Sequence, residues 1–97
     1  MEEILLEHKG GFQFAVNKNG YSIAIDVPKG RGGDGKGFPS ADVFVASLAA
    51  CTGIYAVFYS KTHSLKYEGL KIACSYEIAD NHSYISRIVL NVKIPSS

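Results

Sequence analysis

Two cysteines, three histidines and a run of glycines are the residues of this 97-residue chain whose types and spacing could do chemistry. A cysteine acts as a nucleophile through its thiolate, which a nearby positive charge makes accessible at neutral pH. Cys51 lies in Leu48-Ala49-Ala50-Cys51-Thr52-Gly53. Small neighbours leave space beside its sulfur, for close helix packing or for a small substrate. Cys74 alternates in phase with Leu70, Ile72, Tyr76 and Ile78. That phase predicts a small hydrophobe in the core, with burial raising its pKa and making it the less reactive thiol. No CxxC and no Cys/His pair at ligand spacing occurs, so neither a metal nor another cofactor is expected. His8, His63 and His82 stand apart, as surface or capping residues do.

The glycine run invites a phosphate reading twice. Gly30-Arg31-Gly32-Gly33-Asp34-Gly35 fits GxGxxG, and Gly30 through Lys36 nearly completes GxxxxGK[ST]. Gly37 stands where a Ser or Thr hydroxyl would hold magnesium. Phe38 and Pro39 then separate Lys36 from the next helix, which spoils the cradle of amides a phosphate needs. Nothing around it reads as a parallel crossover unit. The stretch is expected to be a flexible connecting loop with no apolar anchor.

The elements that must position these residues follow from periodicity. Phe12, Phe14 and Val16 alternate against Gln13, Ala15 and Asn17, and Tyr21, Ile23 and Ile25 repeat the pattern beyond Asn19-Gly20. Asn-Gly suits the positive-φ positions of a tight turn, so a hairpin is predicted. A short strand around Ile4–His8 precedes it, set off by Gly10-Gly11. After the glycine run, Ser40 is a good N-cap with Asp42 in the first turn. A helix of roughly 35 Å, from about Ala41 to about His63, follows at 1.5 Å per residue. Lys61 and His63 suit its C-terminal end, and Gly53 is a place for it to bend. Two more strands alternate through Leu70–Ile78 and Ile88–Ile94, joined by Asp80-Asn81-His82-Ser83. The order predicts an α+β fold with antiparallel pairing: a strand, a hairpin, one long buried central helix and a second hairpin.

Composition sets the bounds. Hydrophobic residues make up 46% and charged residues 20%, ordinary values for one globular domain. The net charge of +1 is spread along the chain, leaving no basic stripe for nucleic acid. Met1-Glu2-Glu3 lacks the basic and apolar regions of a signal peptide, and Val43–Tyr59 falls short of the ~20 residues of a membrane span. A cytoplasmic protein with free thiols and no membrane partner is expected. From Val43 to Phe58 no residue is charged on any face, so one small sheet cannot cover the helix. A second copy of the chain is the simplest cover, which predicts a homodimer.

The segment Gly37-Phe38-Pro39-Ser40-Ala41-Asp42-Val43-Phe44-Val45-Ala46-Ser47-Leu48-Ala49-Ala50-Cys51-Thr52 resembles the signature of the OsmC/Ohr family. That signature is a proline turn, an acidic residue, an apolar stretch and then Ala-Ala-Cys. The NG hairpin before it, and Lys61-Thr62-His63 and Tyr67-Glu68-Gly69-Leu70 after it, agree, so the resemblance runs over essentially the whole chain. It implies an intertwined homodimer that reduces small organic hydroperoxides with cysteine thiols. Cys51 matches the attacking cysteine, which becomes a sulfenic acid that a second cysteine resolves. An external thiol then restores the enzyme, and no cofactor is implied. Asp42 matches the acidic residue and takes an auxiliary role. Nine residues of helix set it ~13 Å from Cys51 on the opposite face, where capping or fixing a partner residue suits it better.

Two departures stand out. The arginine that activates the cysteine in the well-characterised peroxidases has no match in His8-Lys9-Gly10-Gly11-Phe12, though Arg31 could substitute from the glycine run. The family's next helix, with the second cysteine, would begin where this chain has Pro95-Ser96-Ser97, and Cys74 is on the wrong element to replace it. Residues 1–97 therefore read as a single domain of this type, incomplete at its C-terminal end. The alternative function is a non-catalytic dimer that binds a small apolar ligand, with Cys51 as a packing residue.

Overall fold

The computed structural model describes residues 1–80 and 84–94. Two compact units form, Met1–Val43 and Phe44–Ser97. The first holds three antiparallel strands in the order β1-β2-β3: β1 (Leu5–Gly10), β2 (Gln13–Lys18) and β3 (Tyr21–Ile25). Asn19 at φ 51° and Gly20 at φ 83° make the two-residue turn that Asn-Gly predicts. Register places Leu6 opposite Val16 and Val16 opposite Ile23, with His8 opposite Phe14 and Phe14 opposite Ile25. One face of the sheet is therefore apolar. Leu6 and Ile23 on it are exposed, and only the central strand is half-buried along its length.

The glycine run is not the flexible loop its composition suggests. It opens with a turn of 3-10 helix at Lys29–Arg31 and folds back on itself. Gly33 N–H donates to the Pro28 carbonyl at 3.1 Å, and Gly35 N–H to that of Val27 at 3.1 Å. Its two ends are tied together where Asp26 N–H donates to Phe38 at 3.1 Å and Phe38 N–H to Ala24 at 2.9 Å. A Cβ on Gly33 would lie 1.9 Å from the Val27 carbonyl oxygen, so this position needs glycine for close approach. The anchor is polar rather than apolar, which is why a search for apolar residues misses it.

The second unit carries helix α1 (Ser40–Thr62, whose first turn belongs to the first unit) and the antiparallel pair β4 (Lys71–Ile78) and β5 (Ile85–Lys93). The helix starts one residue ahead of expectation, with Asp42 and Val43 N–H donating to the Pro39 carbonyl. Its end is a Schellman turn: Ser64 takes a left-handed φ of 56°, and Leu65 N–H donates to Ser60 at 2.8 Å. His63 adds its ring, donating from Nδ1 to the Tyr59 carbonyl at 2.9 Å and stacking on the Tyr59 ring. Gly53 lies within a continuous helix. A Cβ there would meet Ile72 Cδ1 at 3.3 Å and Leu70 Cδ2 at 3.9 Å, so this glycine serves packing. The turn predicted over Asp80–Ser83 falls mostly outside the described residues, as does Pro95-Ser96-Ser97.

Burial corrects one further expectation: taken alone, the chain does not bury its central helix. Val45, Ala49 and Ser60 are buried and share a side with Gly53. The other sides leave Phe44, Ile54, Tyr55 and Phe58 more than half exposed. With 23 residues, α1 is also long and apolar enough to cross a membrane by length and composition, where the uncharged stretch alone falls short. Asp42 and Lys61 lie within its end turns, and its small-residue side is closed, Gly53 against Leu70 and Ile72.

Candidate functional site

Helical geometry decides where Cys51 points. Two residues turn a helix by about 200°, so Cys51 faces away from the Ala49 and Gly53 side that packs inward. The structure agrees: Cys51 is exposed, as a free thiol, among the large apolar side chains of the outer side. Thr52, next to it, bonds its hydroxyl back to the Leu48 carbonyl at 3.1 Å and so adds no free polar group beside the sulfur.

A groove of about 400 Å³ runs along the flank of α1, lined by Ala50, Gly53, Ile54, Val57, Phe58, Leu70 and Lys61. Its walls are almost wholly apolar, and Lys61 at one end is the single charge among its lining residues. The Lys61 ammonium stands 6.0 Å from the Tyr67 ring centroid, at the outer limit of a cation–π contact. Cys51 does not line the groove, although Ala50 beside it and Ile54 one turn on both do.

The other predicted site residues are not gathered around Cys51. Asp42 is half-buried in the first turn of α1, nine residues before the cysteine along one unbroken helix, a rise of ~13 Å. Arg31 is exposed at the end of the 3-10 turn in the first unit. Cys74 overturns the expectation of a core thiol, because it is exposed. Its strand phase is right, opposite Leu90 on the face shared with Ile72 and Tyr76. A two-stranded sheet under one helix is covered only locally, and Gly53 meets the sheet end at Leu70 and Ile72, not at Cys74. Among the described residues no three His, Cys, Asp or Glu side chains stand close enough to hold a metal ion.

Asp26 was not among the residues singled out by type, and it is the most deeply placed polar group described, 2% exposed. Its Oδ1 accepts the Val27 N–H at 2.6 Å and its Oδ2 the Lys36 N–H at 3.0 Å. The Lys36 N–H, foremost, with those of Val27 and Asp34 and the Lys36 charge, holds the carboxyl below its ordinary value of 3.8 against the opposing effect of burial. The available signal was local: an Asp directly after a strand and before a turn-rich stretch commonly bonds nearby backbone N–H groups.

The sequence profile of the OsmC-like protein family matches residues 33–97, which contain α1, Cys51, Cys74 and both strands of the second unit. The chain belongs to the OsmC-like protein family. The fold agrees with that of a Psychrobacter arcticus 273-4 protein named for osmotic stress induction and the detoxification response. The TM-score to its crystal structure is 0.90 at 16% identity, over 100% of this chain and 72% of that one. At this identity the likeness is one of fold: the two antiparallel sheets and the long helix are OsmC-like architecture. No curated protein matches the chain.

Proposed function

We propose that this OsmC-like chain is a thiol protein of the cytoplasm that reduces small organic hydroperoxides, with Cys51 as nucleophile, in a homodimer. One observation carries the reading: the Ala-Ala-Cys thiol of a family-matched helix is exposed, on an apolar surface one turn from an apolar groove. The Cys51 thiolate attacks the terminal peroxide oxygen, forming an S–O bond as the O–O bond breaks. The leaving alkoxide takes a proton and departs as an alcohol, while the cysteine becomes a sulfenic acid. An external thiol condenses with that sulfenic acid and releases water. A second external thiol then cleaves the mixed disulfide and returns Cys51 to its starting state. The apolar surroundings favour an organic over an inorganic peroxide. The helix sides left open in one chain support the homodimer, since a patch this size on a soluble protein marks an interaction site.

The test is a stoichiometric pulse of cumene hydroperoxide followed by dimedone. Sulfenic acid trapped on Cys51, and lost in Cys51→Ser, is the expected result. If the native protein consumes hydroperoxide no faster than Cys51→Ser, the reaction is not carried by this thiol. One observation favours the rival reading, a non-catalytic dimer that binds a small apolar ligand: Cys51 does not line the groove. Under that reading apolar probes bind equally well to native protein and Cys51→Ser, with no turnover in either.

A further inference from the structure

The exposed side of α1 has a regular spacing. Phe44, Leu48, Cys51, Tyr55, Phe58 and Thr62 follow one another at intervals of four, three, four, three and four residues. This is the spacing of a helix–helix seam, in which such positions stay aligned along one line of contact. The chain does not fill that seam itself: Phe44 is 54% exposed, Leu48 39%, Tyr55 76% and Phe58 65%, and Cys51 and Thr62 are exposed too. The spacing also reads the same in both directions, so a second copy laid antiparallel presents a matching line.

We propose that this side of α1 pairs antiparallel with the same side of a second copy, setting Cys51 of each chain against Tyr55 of the partner subunit. The choice of direction rests on side-chain volume. Antiparallel pairing about Gly53 places Phe44 against Thr62, Phe58 against Leu48 and Tyr55 against Cys51, a larger residue against a smaller one in every layer. Parallel pairing in register stacks Phe on Phe and Tyr on Tyr, and leaves Cys and Thr layers underfilled. Even filling is what a close-packed interface requires. Antiparallel helices also set their dipoles in opposition, a further small gain. The proposal rests on the homodimer and on Cys51 as the working thiol, and it deepens that reading. The thiol site becomes a shared one, whose wall and nearest phenol come from the partner subunit.

Disulfide trapping with diamide, in a Cys74→Ser background, tests the pairing independently of peroxide chemistry. Each cross-link joins two thiols that give up two protons and two electrons to the diamide. Tyr55→Cys, with Cys51 retained, should give a covalent dimer on a non-reducing gel, while the Cys74→Ser background alone should not. A second layer guards against misfolding: Leu48→Cys with Phe58→Cys, in a chain also carrying Cys51→Ser and Cys74→Ser, should cross-link as well. Efficient cross-linking through Cys51 alone would show parallel pairing and overturn the proposal. So would a dimer by light scattering in which neither layer cross-links, or a monomer. If both layers cross-link but the protein turns over no hydroperoxide, the thiol reading fails and the seam stands.

Discussion

The Asp26 carboxylate accepts the backbone N–H of Lys36 at 3.0 Å, across ten residues of glycine-rich chain. Such a stretch loses much conformational entropy when it orders. Asp26 offsets that loss by giving buried N–H groups a charged acceptor, the stronger kind of hydrogen bond. The same residue joins its own N–H to Phe38, and the helix begins two residues later at Ser40. The loop thus delivers the chain to α1 in a fixed position.

Asp26→Asn should lower stability at neutral pH, because the neutral amide loses the charged acceptor and adds N–H donors where N–H groups already point. The pH dependence has a defined sign. A carboxyl held below its ordinary 3.8 stabilises fully above that value and progressively less as pH falls through its folded pKa. Urea midpoints of native protein and variant should therefore differ most at pH 5–7 and converge below about pH 4. A gap that is constant with pH would assign the effect to shape rather than charge.

Gly33→Ala should destabilise by about 1–3 kcal/mol, the range for overpacking, since its methyl would collide with the Val27 carbonyl. Gly30→Ala is the matched control. Nothing lies within 4 Å of a Cβ there, and the expected change stays within about 0.5 kcal/mol. Equal effects in thermal melts of the two variants would mean that the loop is not closed in solution.

Gly53 separates two opposing contributions. Alanine gains about 1 kcal/mol of helix propensity and needs the Ile72 methyl, 3.3 Å away, to yield by a few tenths of an ångström. Gly53→Ala should thus be near neutral, whereas Gly53→Val adds branches toward Ile72 and should cost about 1–3 kcal/mol. Denaturant unfolding at one protein concentration checks both.

Access and reactivity of the thiols should come apart. Cys74 is exposed on its strand, while the proposed pairing covers Cys51 against large reagents. A bulky maleimide should label Cys74 first in the native protein, and both thiols equally in urea. A small hydroperoxide should still oxidise Cys51 before Cys74, as tandem mass spectrometry of the dimedone adducts would show. Faster maleimide labelling of Cys51 would count against a covered seam.

Much of this architecture is legible in the residues. Asn19-Gly20 specifies its turn because few other pairs tolerate two positive φ values, and the uncharged run from Val43 to Phe58 specifies the helix. Alternation identifies β4 and β5 and the face on which Cys74 lies. It cannot tell whether that face is covered, because cover depends on where the helix crosses. Asp26 escaped notice for a related reason: a carboxylate is buried only when closing the loop brings N–H donors to it, and those donors belong to the backbone of every residue type.

Each strand here pairs with its neighbour in sequence: β1 with β2, β2 with β3, and β4 with β5. Contacts so local are closed early and fast, since little chain entropy is lost in joining nearby segments. Hairpins of this size are marginal until an apolar surface covers them. Folding should therefore divide into a rapid first-order phase, in which hairpins and helix form, and a slower second-order phase that consolidates them. Raising the protein concentration tenfold should quicken only the latter.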